Sequence, residues 1–353
     1  AVWDDIHSPS TPNTQPALSP DTYEDIKGRL RNHYATVGHL PLSELPTHFI
    51  GDAVEAIRRR PTHKSVSLQK KVMNEGLAVI RWGEKNGLIP AGHDWVGPLR
   101  PMRRRTVNDR NVVGRTIRPL PSHRQVHRLA RLVADDTGAD YMRLFIWMLA
   151  YIGFREGELC ALTVDDVERD NRLRIHVRRK TVWRTGQRTI VENYAKGYAH
   201  RTIVVPTILE RPILQRVAQV RADGGTILFP TWSRRCGPDQ HIGYSTLRDV
   251  FLRCGERCGW TVLTRTSDKT YRAADGRPRI HRGKPQSLEY TIHDLRAFAA
   301  STMYEPKRGC SLHGMGMSLH AVARQLGDIP ETVKRHYLGI IDGSAAILDN
   351  EVP

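Results

Sequence analysis

The chain has 353 residues, a length that fits about two domains. Its 54 Lys plus Arg against 37 Asp plus Glu give a formal charge of +17 and a pI near 10.0, which points to a polyanionic partner, nucleic acid before an anionic membrane surface. The longest apolar run, Leu144 to Ile152, is too short to span a bilayer, and the N-terminal stretch has early acids and no apolar h-region, so a cytoplasmic setting is expected.

In chain order, residues 1–19 are rich in Pro, Ser and Thr and read as a flexible tail. Ser19-Pro20-Asp21 starts a helix carrying Tyr23, Ile26 and Leu30 at helical spacing. A second helix is predicted over His48 to Arg60. A third, Val66 to Lys85, places Leu68, Val72, Leu77 and Ile80 on one side and ends at Asn86-Gly87. Together these make a helical domain over 20–97.

Residues 98–118 hold seven arginines and one aspartate without an apolar period, the pattern of a basic linker. A second domain is expected over 119–345, followed by a tail at 346–353. It opens with a helix over Val126 to Asp135 and another over Tyr141 to Ile152, apolar nearly all round and therefore buried. Leu173–Val177 and Arg201–Val205 read as strands, with another between them after the Thr185-Gly186-Gln187 turn. After Pro206 the pattern returns to helices, interrupted by a polar, basic insertion at 264–287 with seven Lys or Arg against two Asp. The fold class expected is mainly α with a small antiparallel β-sheet.

Five cysteines are an odd number. Cys254 and Cys258 share a helix face, but with only scattered companions such as Cys236 and His241 the spacing matches no zinc module, and buried reduced thiols are the reading. No metal and no cofactor is expected.

Three motifs carry chemistry. Gly153-Phe154-Arg155-Glu156-Gly157-Glu158 follows the buried helix, and Arg155 has Glu158 three residues on as a partner. Thr291-Ile292-His293-Asp294-Leu295-Arg296 is an HxxR box, a weak signal alone. Leu326-Gly327-Asp328 precedes Tyr337 by 337 − 328, nine residues, in Lys334-Arg335-His336-Tyr337-Leu338-Gly339. Arginines grip phosphate by planar hydrogen bonding, histidine moves protons near neutral pH, and a tyrosine oxygen can attack phosphorus.

The order and spacing of these boxes resemble the tyrosine recombinase, or phage-type integrase, family over about residues 20–340. The resemblance implies a helical core-binding domain followed by a mixed α/β tyrosine recombinase catalytic domain. It implies that Arg155 and Arg296 hold the scissile phosphate, with Glu158 orienting Arg155 from behind. Tyr337 would be the nucleophile, forming a 3′-phosphotyrosyl bond, and His293 would assist its proton transfer. Lys196, before the strand ending at Val205-Pro206, is the best match to the family's general-acid lysine, with Lys180 as competitor. Linker residues Arg103, Arg104, Arg105, Arg110 and Arg115 would contact DNA.

Two departures stand out. Ala297 follows the arginine where the family often has histidine. Asp328 occupies the His/Trp position; an ionised aspartate cannot donate to a phosphate and would repel it. It would instead bind a neighbouring arginine or cap the next helix. His336 is the alternative donor, although adjacent helical residues point about 100° apart.

The partners implied are double-stranded recombination sites, three further copies of the chain in a homotetramer on DNA, and accessory directionality or DNA-bending proteins. Nucleoid association would accompany DNA binding. The role implied is integration or excision of a phage or mobile element. Alternatives are a transposase of the same family, a type IB topoisomerase, or a catalytically silent DNA-binding relative.

Overall fold

The computed structural model describes residues 20–59, 66–99, 120–183, 189–193, 200–232, 239–272, 278–281, 283–304 and 316–334, with backbone alone for 20–21, 269–272 and 278–281. The chain divides into two compact units, Ala1–Arg115 and Thr116–Pro353.

In the first unit, α1 (Pro20–His33), α2 (Phe49–Arg59) and α3 (Val66–Lys85) pack around a core of Tyr34, Ile50, Ile57, Val72, Ile80 and Trp95. Gly76 of α3 sits against the Tyr34 ring, where an added Cβ would lie 2.4 Å from the hydroxyl oxygen. That hydroxyl donates to the Val72 carbonyl at 2.8 Å, so the aromatic side chain ties α1's exit to α3. Glu75, buried on the same helix, is held by the Arg29 guanidinium of α1 at 2.7 Å.

The second unit begins with α4 (His123–Thr137) and α5 (Tyr141–Tyr151). A reciprocal cap between Ser122 and Gln125 starts α4 three residues before the apolar spacing does, because His123 and Arg124 are polar and leave no periodic mark. Helix α5 is the centre of this core: Met142, Phe145, Ile146, Met148 and Leu149 are all within 1% of complete burial. The short α6 (Glu156–Cys160) follows at once.

Strands β1 (Val167–Arg169), β2 (Leu173–Val177) and β5 (Arg201–Val204) form an antiparallel sheet in the order β1-β2-β5, with Ile175 opposite Ile203. Strands β3 (Lys180–Val182) and β4 (Ile190–Glu192) pair beside it as a second antiparallel ribbon. Then come α7 (Thr207–Ala222) and α8 (Tyr244–Cys258).

The basic insertion after α8 carries strands that the sequence pattern did not announce. It is built from β6 (Val262–Arg265) paired with β9 (Pro285–Leu288), and β7 (Lys269–Arg272) paired with β8 (Pro278–His281). Val262 to Arg265 is half-buried or exposed at every position, so it lacks the apolar-polar alternation that announces a strand.

The last described elements are α9 (Ile292–Tyr304), α10 (Leu319–Leu326) and α11 (Pro330–Val333). Ala299, Ala300 and Met303 of α9 pack on Val322, Ala323 and Leu326 of α10. Among the described residues, no helix is long and apolar enough to cross a membrane. Cys254 and Cys258 are buried free thiols on α8. Their sulfurs lie 3.4 Å from the carbonyls of Leu132 and Gln125 respectively, and burial raises both pKa values, that of Cys254 to about 12.

Candidate functional site

Three backbone features build the site. The first is Gly153, which ends α5 at φ +80° with its N–H on the Met148 carbonyl at 3.2 Å. A Cβ there would lie 2.4 Å from the Leu326 side chain, so only glycine admits both the turn and the close approach of α10. The turn aims the Gly153 carbonyl at Arg296, whose Nη1 donates to it.

The second is the extended Arg155 backbone before α6. Its N–H donates to Glu158 Oε2 at 3.0 Å, and its Nη1 to Glu158 Oε1 at 2.9 Å. The third is Gly327, left-handed at φ +67°, which ends α10 and points its carbonyl at Arg155. Arg155 Nη2 donates to that carbonyl at 3.1 Å.

Arg296 rides on the buried side of α9 and is only 1% exposed. Its Nη2 donates to the Leu326 carbonyl at 2.6 Å and also to Asp328 Oδ2. Arg155 Nη2 donates to the other oxygen, Asp328 Oδ1, at 2.7 Å. Asp328 therefore joins two arginines that lie 296 − 155, or 141, positions apart in sequence. Of the two expectations for Asp328, this is the arginine-binding one. Its backbone N–H donates to the Ala323 carbonyl at 2.9 Å, completing the end of α10.

Glu158, 1% exposed, lies behind Arg155 and holds a second guanidinium as well. Arg201 donates from Nη1 to Oε1 at 2.8 Å and from Nη2 to Oε2 at 2.6 Å. Burial alone would raise the Glu158 pKa, but the hydrogen bonds and charge of Arg201, with those of Arg155, outweigh it and lower it to about 2. Arg201 was missed as a site residue. Its signal was parity: it shares strand phase with buried Ile203 on β5, which turns an arginine inward.

His293 stands one turn before Arg296 on the same helix, near the exposed end. Asp294 secures that end, its Oδ2 accepting from Thr291 N at 2.6 Å and Oγ1 at 2.7 Å. Partial burial, then the charge of Arg296, lowers the His293 pKa and favours a neutral imidazole. Lys180, on β3, faces Glu192 across the ribbon at 3.1 Å. Ala297 is buried, which explains why no polar residue follows Arg296.

Lys196, His336 and Tyr337 lie outside the described residues, as do Arg103, Arg104, Arg105, Arg110 and Arg115 of the linker and Cys236. Among the described residues, no group of three or more His, Cys, Asp or Glu is placed to hold a metal ion.

No known family model and no curated protein matches the sequence. Solved structures match its fold. The chain is similar to the Tn1549 transposon integrase in complex with transposon right end DNA, with a TM-score of 0.63 and 14% identity over 94% of this chain and 95% of that one. It is also similar to a lambda integrase dimer bound to a COC′ core site, TM-score 0.54 and 14% identity, over 91% of this chain and 72% of the other. This chain has the tyrosine recombinase integrase fold. A third likeness, to a lambda integrase tetramer bound to a Holliday junction, has a TM-score of 0.58 and 13% identity over 95% of this chain and 74% of that one.

Proposed function

We propose that the protein is a site-specific DNA recombinase of the integrase type, which cleaves and rejoins strands through a tyrosine. The observation that carries this reading is the convergence of Arg155 and Arg296 on one anionic group, nine residues before Tyr337 in sequence. Two guanidiniums directed at one anion are what a phosphodiester undergoing substitution needs, since charge builds on its nonbridging oxygens. The integrase fold around the pair, and the formal charge of +17, support DNA as the substrate.

In the reaction, the Tyr337 oxygen attacks phosphorus and the 5′-oxygen departs, leaving a 3′-phosphotyrosyl bond and a 5′-hydroxyl. Lys196 supplies the proton to the departing oxygen, and His293, held neutral, receives one from the tyrosine. The 5′-hydroxyl of a partner strand then reverses the step on the phosphotyrosine. One phosphoester bond forms as one breaks, so no external energy source enters. The tetrameric solved relative on a Holliday junction supports the same assembly here, on double-stranded sites of a phage or mobile element. Accessory directionality or DNA-bending proteins, and a setting in the cytoplasm on the nucleoid, belong to this reading. In it, residues 20–97 form the core-binding domain and 119–345 the catalytic domain, with the arginines of 98–118 on DNA phosphates.

A second reading, a silent DNA-binding relative, is favoured by Asp328, which occupies the arginines that catalysis needs. The test is covalent capture on nicked duplexes drawn from the element's ends, read on a denaturing gel and by sequencing the trapped DNA. A protein–DNA adduct is expected for the wild type and none for Tyr337→Phe, with duplex binding retained. No wild-type adduct on any end sequence would favour the silent relative, and an adduct surviving in Tyr337→Phe would move the nucleophile to another residue, Tyr304 first.

A further inference from the structure

Asp328 does more than depart from the His/Trp that the family resemblance leads one to expect. Its two oxygens take one guanidinium each, the same two-oxygen, two-arginine pattern a phosphodiester's nonbridging oxygens would present. Resting on the reading of Arg155 and Arg296 as the phosphate-binding pair, we infer that Asp328 is an internal competitor for the scissile phosphate. Its carboxylate holds the pair in the DNA-free chain, and a phosphate gains both guanidiniums only as that carboxylate withdraws.

The remaining contacts argue for a latch rather than a strut. With the carboxylate removed, Arg155 keeps Glu158 and the Gly327 carbonyl, and Arg296 keeps the carbonyls of Gly153 and Leu326. Glu158 behind Arg155 and the Gly153 carbonyl behind Arg296 lie outside the segment that carries Asp328, so both guanidiniums stay anchored without its carboxylate. What it consumes is donor capacity on Nη2 of each arginine. Burial points the same way. The Arg296 side chain is 1% exposed, so a phosphate has no direct approach to it, whereas the Asp328 side chain is 16% exposed.

Leaving Asp328 beside an arriving phosphate is disfavoured, because two anions would share one pair of cations. Its position makes withdrawal feasible. It follows the left-handed Gly327 and precedes Ile329 and Pro330, outside any helix, and Ile329 is 62% exposed. The segment that carries Asp328 continues through α11 towards Tyr337, so release of the carboxylate and placement of the nucleophile act on one stretch of chain. Asp328 would then set how much of the binding energy of DNA is spent on opening the site.

The test is the affinity of the full-length, DNA-free protein for tungstate, a tetrahedral oxyanion, by calorimetry. Asp328→Asn removes the charge and keeps the shape, and it should bind tungstate at least ten-fold more tightly than wild type. Adding Arg296→Lys to Asp328→Asn should remove the gain. Equal affinity in Asp328→Asn and wild type overturns the latch, as does a gain that survives Arg296→Lys. Should Asp328→Asn fail to fold, hydrogen–deuterium exchange in the wild type decides. Saturating tungstate should speed exchange across residues 326–329, and unchanged exchange with tungstate bound overturns the proposal. Neither measurement uses DNA cleavage. A protein that shows the gain but never forms an adduct keeps the latch and loses the recombinase reading; one that forms the adduct without the gain does the reverse.

Discussion

Arg201 grips both carboxylate oxygens of Glu158, at 2.8 and 2.6 Å, while Arg155 takes the same carboxylate from the other side. One buried acid is thus shared by two arginines, one of which faces the site. Nε of Arg201 also donates to the Gln325 carbonyl at 3.3 Å, and Gln325 Nε2 donates to the Val204 carbonyl at 2.9 Å. Strand β5, α6 and the end of α10 are therefore tied through Glu158. Gly327 fits into this cluster, since a Cβ there would lie 2.7 Å from Arg201 Cδ.

Glu158→Gln should destabilise the second unit by about 3 kcal/mol at pH 7, the scale of breaking a buried pair and leaving charge uncompensated. Its pH dependence follows from a folded pKa lowered to about 2 from 4.5. A depressed carboxylate contributes stability that is present above the unfolded value and lost as pH falls through the folded one. The thermal midpoints of wild type and Glu158→Gln should therefore converge between pH 4.5 and 2. A gap that stays constant over that range would show that the carboxylate's charge is not what holds the cluster.

Arg155→Ala should slow single-turnover cleavage by roughly 10²-fold or more, the scale of losing one transition-state donor. Duplex affinity should fall far less, because many other basic residues remain to meet phosphates. Arg296→Ala should do the same to cleavage and in addition lower the thermal midpoint, since its guanidinium is buried against two backbone carbonyls that would lose their donors. Cleavage within a few-fold of wild type in either variant would take that arginine out of the reaction.

Much of this was legible because local rules and tertiary packing agree. Val66–Lys85 and Leu173–Val177 have the bounds that periodicity predicts, and α5 is buried nearly all round as its composition requires, with Tyr141, Arg143 and Trp147 half-buried. Gly153-Phe154-Arg155 and His293 to Arg296 stood out by residue type and order. The partner of Asp328 was open, because its arginines lie 173 and 32 residues away and no spacing rule reaches that far. Arg201 was less legible because a strand-initial arginine is ordinarily solvated, and its parity with Ile203 means inward only once β5 is paired with β2. The β6–β9 pair was hidden for the opposite reason, since β6 has no buried position and β9 only Leu288, too little to supply a pattern.

The pH profile of cleavage reports on His293. Partial burial and Arg296 lower its pKa below the ordinary 6.5, so the neutral ring persists into mildly acidic solution. If His293 receives the tyrosine proton, the acidic limb of the rate profile should have its midpoint below pH 6.5. Arg296→Gln removes a lowering charge and should move that midpoint up. Direct titration of the imidazole by NMR in wild type and Arg296→Gln checks the assignment without cleavage. A ring titrating at or above 6.5 in the wild type would contradict it.

Lys196 as general acid makes the sharpest demand, because the leaving group can be altered independently of the protein. A 5′-hydroxyl leaves poorly unless protonated, whereas a 5′-thiol leaves readily as thiolate, with a pKa of about 8.5 by analogy with cysteine. Lys196→Ala should be severely slow on ordinary DNA and largely recovered on DNA with sulfur at the bridging 5′ position. Arg296→Ala, which loses charge stabilisation rather than a proton, should recover much less. Lys180→Ala is the control: its Nζ lies 3.1 Å from Glu192 across the β3–β4 ribbon, a cross-strand ion pair that gives it a structural occupation. Rescue of Lys180→Ala in place of Lys196→Ala would transfer the acid to β3. Rescue of neither would move proton donation to a histidine, with His293 and His336 the two to replace next.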